Sequence, residues 1–277
     1  VNNMDTETKV DAQSNPALLN KLAAEAMAPS QAEVTATKPV AVITPPDLTV
    51  ELPGGLYDPF DGVTKTAEIR ELNGADEEAI ARITDAGKAL LTVLERATVK
   101  IGEKPVNKES LDTLLAGDRE MLLLAIRKAT FGSTVEVGPG FCPSCDAEQT
   151  FKIDLTEDVT VKTLNEEDRE FTMNCKVGKV IVSLPNGYVQ KSIVTATNKN
   201  SAELDTLLLK GCVLSINDGP IVTIDHIKKL SLTDRRDIIT EITNRNPGPQ
   251  LSDIKKPCIS CGLEVPLPLT LADLFRE

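Results

Sequence analysis

Cys142-Pro143-Ser144-Cys145 recurs 116 residues later as Cys258-Ile259-Ser260-Cys261. Two residues between thiols let both sulfurs face one point, which suits a tetrahedral metal that takes thiolate at about 2.3 Å. Two such turns supply four thiolates. The pattern predicts a closed, structural Zn2+ site with Cys142, Cys145, Cys258 and Cys261 as metal ligands. The 112 residues between the turns far exceed the roughly 15–20 of a compact zinc ribbon. A folded unit therefore lies between them.

Shifting the chain against itself by 116 residues identifies that unit. Asp118-Arg119 falls on Asp234-Arg235, Ile126 on Ile242, Gly132 on Gly248, Glu148 on Glu264 and Leu155 on Leu271, with no gap from Asp118 to Asp158. Apolar positions match in kind, as in Leu122/Ile238, Val135/Leu251 and Ile153/Leu269. Further upstream the register slips but the order persists: Asn73-Gly74 falls near Asn186-Gly187, and Leu90 to Val99 resembles Leu204 to Val213. The reading is a tandem duplication in which each copy ends in one knuckle.

The chain is 41% hydrophobic and 26% charged, ordinary for a globular protein. Aromatic residues make up only 3%, so Leu, Ile, Val and Ala must build the core. A formal net charge of −12 is repelled by phosphate backbones, and Lys255-Lys256 is too small a basic patch to offset it; no nucleic-acid partner is expected. A single histidine, His226, rules out a histidine-rich site. No signal peptide and no apolar run of about 20 residues is visible, so no membrane partner is expected. Six cysteines in a chain this long read as metal or redox rather than as a disulfide scaffold. Cys175 and Cys212, alone in apolar surroundings, read as inert core residues.

The fold class expected is α+β, two copies of a β-hairpin plus helices joined by one shared zinc ribbon. Residues 1–46 read as an arm: Asn15-Pro16 opens a short helix carrying Leu18, Leu19 and Leu22, and an Ala/Thr/Val/Pro-rich stretch follows. It is either a disordered tail or a segment that orders on a partner. Residues 47–160 form the first repeat. Its hairpin pairs Leu48–Leu52 with Thr66–Leu72 around a loop at Asp58-Pro59-Phe60-Asp61-Gly62, with an earlier turn at Pro53-Gly54-Gly55, and helices run near Asp76, from Lys88 to Val99, from Lys108 to Leu115 and from Gly117 to Gly132. In the last helix Leu122, Leu123, Leu124 and Ile126 face inward, and Arg119, Arg127 and Lys128 outward. Strands Thr134–Val137 and Thr150–Leu155 flank the first knuckle. Residues 161–277 repeat the plan, with a hairpin of Arg169–Met173 and Lys179–Leu184 and helices Val189–Thr197, Ala202–Lys210, Ile224–Leu230 and Leu232–Asn244. A final strand, Val265–Leu271, is interrupted by Pro266 and Pro268, and a short helix closes the chain.

Other chemistry reads more weakly. Phe141-Cys142-Pro143-Ser144-Cys145 looks like a glutaredoxin-type C-P-x-C motif, but that chemistry needs its first cysteine at a helix N-terminus, and the run after this turn alternates like a strand. Asp118-Arg119-Glu120 and Asp234-Arg235-Arg236 begin helices in both copies, so capping and salt bridges explain them. No phosphate-binding loop, nucleophile elbow or dinucleotide fingerprint appears, and no enzyme activity is expected.

The segments Ile69 to Glu78 and Leu115 to Gly132, together with the Cys142 knuckle, resemble proteins of the T-even-type phage baseplate hub, which include hub subunits and hub assembly chaperones of contractile-tailed phages. The resemblance is best over residues 47–160, recurs more weakly over 165–277 and leaves out the arm. It implies a non-enzymatic role in virion assembly, located in the tail baseplate after assembly in the host cytoplasm. Other baseplate and tail proteins would be the partners, met in part through the arm, and the knuckle cysteines would serve only as metal ligands. The remaining alternatives are a thiol–disulfide protein using Cys142 and Cys145, and a zinc-ribbon adaptor.

Overall fold

The computed structural model describes residues 48–196, 198–219 and 222–275. The arm expected over residues 1–46 lies outside them. The expected hairpin forms from strands β1 (Leu48–Asp58) and β2 (Gly62–Ile69), paired antiparallel from Leu48↔Ile69 to Asp58↔Gly62. Val50, Leu52, Ala67 and Ile69 alternate into the interior, as a half-buried sheet requires. Pro53-Gly54-Gly55 is not the expected turn but a bulge inside β1, where the register slips between Glu51 and Leu56. Gly55 sits at φ +78°, and a Cβ there would lie 2.7 Å from the Thr64 carbonyl oxygen, so the bulge needs glycine.

Helices α1 (Gly74–Ala81) and α2 (Ala86–Ala97) follow, capped by Asn73 and Asp85. The helix expected to reach Val99 stops at Ala97, because Thr98–Ile101 becomes β3 on the free edge of β2. Three of its four residues are β-branched and favour the pleated conformation. β4 (Lys104–Pro105) completes a sheet in the order β1-β2-β3-β4. Helices α3 (Lys108–Thr113) and α4 (Ala116–Phe131) lead into the hairpin β5 (Thr134–Phe141) and β6 (Glu148–Asp154).

After β7 (Val161–Lys162) the order recurs. Hairpin β8 (Glu170–Cys175) and β9 (Gly178–Ser183) is followed by α5 (Gly187–Val194), α6 (Ser201–Cys212), β10 (Val213–Ile216), α7 (Ile224–Lys229) and α8 (Leu232–Arg245). β10 lies on the free edge of β9, as β3 lies on β2. Both third strands escaped the sequence reading because each is short and follows its helix directly. β11 (Gly248–Pro249) pairs with β7, and β12 (Lys255–Pro257) pairs with β13 (Glu264–Pro266). The final strand ends at Pro266 rather than Leu271, since Pro266 and Pro268 cannot donate to a ladder. The expected closing helix is a single 3-10 turn, Asp273–Phe275. The fold is α+β, and no helix among the described residues is long and apolar enough to cross a membrane.

The interior is divided into three clusters. One packs β1, β2, α2 and α4 around Leu52, Ile69, Leu94, Leu122 and Ile126. A second packs β8, β9 and the helices after them around Val180, Val182, Leu209, Ile227 and Ile238. The third takes Phe151, Ile153 and Leu155 from one side of the chain and Ile254, Val265 and Leu274 from the other, with Cys142 and Cys258 at its edge.

Candidate metal centre

Each C-x-x-C turn is the loop of a β-hairpin, the first between β5 and β6, the second between β12 and β13. Their local geometries match. The Cys142 N–H donates to the Ala147 carbonyl and the Asp146 N–H to the Cys142 carbonyl, both at 3.0 Å. In the second turn the Cys258 N–H donates to Leu263 O and the Gly262 N–H to Cys258 O, both at 2.8 Å. The fifth residue of each turn is left-handed, Asp146 at φ 53° and Gly262 at φ 72°.

All four Sγ atoms lie within 4.8 Å of one another, the only such group of ligating side chains found among the described residues. The close pairs run between the turns: Cys142 Sγ to Cys261 Sγ and Cys145 Sγ to Cys258 Sγ are each 3.7 Å apart. A tetrahedron of thiolates at about 2.3 Å from zinc has edges of about 3.8 Å, so the sulfurs fit a four-thiolate ion. Cys142 and Cys258 are buried while Cys145 and Cys261 are exposed. The Cys261 N–H beside its sulfur, outweighing burial and helped by the Ser260 N–H, lowers the Cys258 thiol to about 6. At Cys145 the Ala147 N–H favours the thiolate, but the Cys261 thiol, burial and the other two cysteines raise it to about 12. Four negative sulfurs this close need a cation, and a bound divalent ion deprotonates coordinating thiols outright. The four residues would hold such an ion, which would supply a crosslink and no open coordination position.

The surroundings tie the two turns together independently of sulfur. Gln149 on β6 accepts the Ile259 N–H at its Oε1, 3.0 Å. Lys256 on β12 pairs with Asp158 at 2.6 Å, so half of the small basic patch is already neutralised. Gln149 carried no sequence signal: its role depends on the two turns facing each other.

The other residues singled out lie elsewhere. Asp118 is fully buried and accepts the Gly54 N–H at 2.7 Å; Asp234, 2% exposed, accepts Lys176 N–H at 2.9 Å and Val177 N–H at 3.2 Å. Both aspartates thus bind a hairpin rather than act chiefly as caps of their own helices. Burial raises the Asp118 carboxyl, although the Gly54 and Gly55 N–H groups and Arg169 oppose it. Arg119, expected outward, is 2% exposed. Its guanidinium donates to Leu111 O at 2.6 Å and to Gln190 Oε1 at 2.7 Å, and those partners make its burial tolerable. Arg235 donates to Ile227 O at 3.3 Å, the same interaction 116 residues on. Arg169, missed in the sequence, donates to the Gly54 and Gly55 carbonyls. His226 N–H donates to the Thr223 hydroxyl in a capping box. Cys212 belongs to the second core cluster, and burial pushes its thiol up to about 12. Cys142 directly follows strand β5 and is buried, unlike the exposed helix-N-terminal cysteine of a C-P-x-C oxidoreductase.

Compared with curated proteins and with solved structures, the chain gives no significant match. Against family models it matches the T4 bacteriophage base plate protein over residues 60–246. That stretch is more than half of the chain and includes the first knuckle, so the chain belongs to the T4 bacteriophage base plate protein family.

Proposed function

We propose that this protein is a non-enzymatic structural or assembly component of the phage baseplate hub, built from two copies of one unit and clamped by a shared structural zinc. The observation that carries the reading is the convergence of one C-x-x-C turn from residues 47–160 and one from residues 161–277 on a single point. Half a site per copy ties the copies together only when both are folded. Duplication is further supported by the shared order of elements and by matching roles: Asp118 and Asp234 each accept from a hairpin N–H, and Arg119 and Arg235 donate to Leu111 O and Ile227 O. A closed four-thiolate site serves stability rather than chemistry. Family membership supports placing the partners among other baseplate and tail proteins. The arm over residues 1–46 is proposed to order against one of them, with Leu18, Leu19 and Leu22 as its apolar face.

The test is assembly in infected cells. Deleting the gene is expected to stall baseplate formation before the hub is complete, and hub intermediates from wild-type infection are expected to contain the chain. Normal assembly without it, or its absence from every baseplate intermediate, would overturn the reading. Metal content of the purified chain tests the clamp separately, with one zinc per chain expected.

A further inference from the structure

Each knuckle carries one exposed cysteine and one buried one: Cys145 and Cys261 meet solvent, Cys142 and Cys258 do not. The 3.7 Å contacts join an exposed cysteine of one turn to the buried cysteine of the other, Cys261 to Cys142 and Cys145 to Cys258. A disulfide is about 2.05 Å long, so each pair lacks about 1.7 Å of approach. The two hairpins are separate two-stranded sheets, with no ladder between them among the described residues. Both pairs start from the same separation, so one shift of hairpin toward hairpin closes both. A bond inside a turn has no such route. There the backbone is pinned by the Asp146 N–H on Cys142 O and the Gly262 N–H on Cys258 O. The N–H groups of Ser260 and Cys261 also hold Cys258 Sγ under its own turn, a contact that survives when the hairpin moves as a body.

We infer that Cys145 and Cys261 are oxidation sites for a peroxide, and that oxidation ends in two disulfides between the knuckles, Cys142–Cys261 and Cys145–Cys258. The exposed sulfur attacks one peroxide oxygen. An S–O bond forms, the O–O bond breaks and one water leaves, giving a sulfenic acid. The buried sulfur of the facing turn then attacks the sulfenic sulfur. The S–S bond forms, the S–O bond breaks and a second water leaves. Two cysteines lose two electrons and the peroxide gains them. The two protons needed come from the thiols or, where these are ionised, from solvent. Disulfide sulfur is not the thiolate that a metal takes, so the crosslink passes from an ion to covalent bonds. Residues 47–160 stay tied to residues 161–277, whereas disulfides within the turns would release them.

That this tether serves a particle leaving a reducing cytoplasm rests on the reading above; the pairing rests on the sulfur positions alone. The test treats the purified full chain with hydrogen peroxide, alkylates the remaining thiols and maps the digest by mass spectrometry. All four knuckle thiols are expected to be lost from the alkylated pool, with peptides joining Cys142 to Cys261 and Cys145 to Cys258 as the main products. The melting temperature of the oxidised chain is expected to stay unchanged on adding a chelator, and to fall when dithiothreitol is added with it. Disulfides closed within the turns, sulfinic or sulfonic acids in place of disulfides, or a melt that chelator still lowers after oxidation would overturn the inference. Within-turn disulfides in a zinc-containing chain defeat this inference and leave the clamp reading intact. A chain isolated without zinc defeats the clamp reading and leaves the pairing to the map.

Discussion

Gly117, in the first turn of α4, and Gly248, in β11, meet backbone against backbone. A Cβ on Gly248 would lie 2.7 Å from Gly117 O and 2.8 Å from Gly117 Cα, and a Cβ on Gly117 would collide with Pro247 O. Only hydrogen fits on either side. Gly117→Ala is expected to cost on the order of 3 kcal/mol or more, because no flexible side chain can yield. Gly132, the counterpart of Gly248 in the 116-residue register, has open space around it. At its φ of +84° and ψ of 174°, Gly132→Ala should cost roughly 1–3 kcal/mol from backbone strain alone, less than Gly117→Ala. Urea denaturation of both variants checks the contrast; equal costs would refute the close contact.

Metal removal should act on both halves of the chain at once. Cys142→Ser and Cys261→Ser, in different knuckles, are expected to lose zinc and stability to a similar degree, since each breaks the same tetrahedron. A structural site of this kind contributes on the order of 10 kcal/mol. Atomic absorption and thermal melts, with and without chelator, measure both quantities. A variant that kept its zinc would contradict the shared centre.

Asp146 occupies a left-handed position that Gly262 fills in the second knuckle. Asp146→Gly is expected to stabilise the first knuckle by roughly 0.5–1 kcal/mol, by removing the Cβ penalty. Gly262→Ala should destabilise by about the same amount, since nothing crowds that position except its φ. Melting temperatures of the two zinc-loaded variants should move in opposite directions.

Asp76, fully buried, binds Arg70 and Arg96 at 2.6 Å each. Burial alone would raise its carboxyl, but Arg70, the Asn73 N–H and Arg96 together hold it at about 2. Its folded value lies below its unfolded value. The native state therefore binds fewer protons, and the stabilisation is present above about 4 and lost as pH falls through 2. Asp76→Asn should remove about 2 kcal/mol near neutrality and flatten this part of the acid limb. A wild-type acid limb unchanged in the variant would exclude the linkage.

Glu120 has the opposite sign. Its folded carboxyl stands at about 7 against an ordinary 4.5, so the native state holds a proton that the unfolded chain has lost. Stability should fall as pH rises from 4.5 to 7, by on the order of 2 kcal/mol after allowing for partial exposure. Glu120→Gln should abolish that slope in urea titrations across the range.

The sequence alone determined which four cysteines belong together and most of the element plan. Paired C-x-x-C spacing, hairpin alternation around Leu48–Leu52 and the apolar face Leu122 to Ile126 are local patterns, set by the periods of strand and helix. What lies far apart in sequence was decided by the tertiary structure. The third strands Thr98–Ile101 and Val213–Ile216 exist because a neighbouring edge accepts them. The burial of Arg119 depends on Leu111 O and Gln190 arriving around it, and Gln149 caps a knuckle that lies over a hundred residues away. Asp118 and Asp234 look like cap residues until the β1 bulge and the β8–β9 turn bring their N–H groups to them. Glu120 reads with Asp118 and Arg119 as capping and salt-bridging charge, because desolvation is a property of the packed walls around it and leaves no mark in the residues beside it.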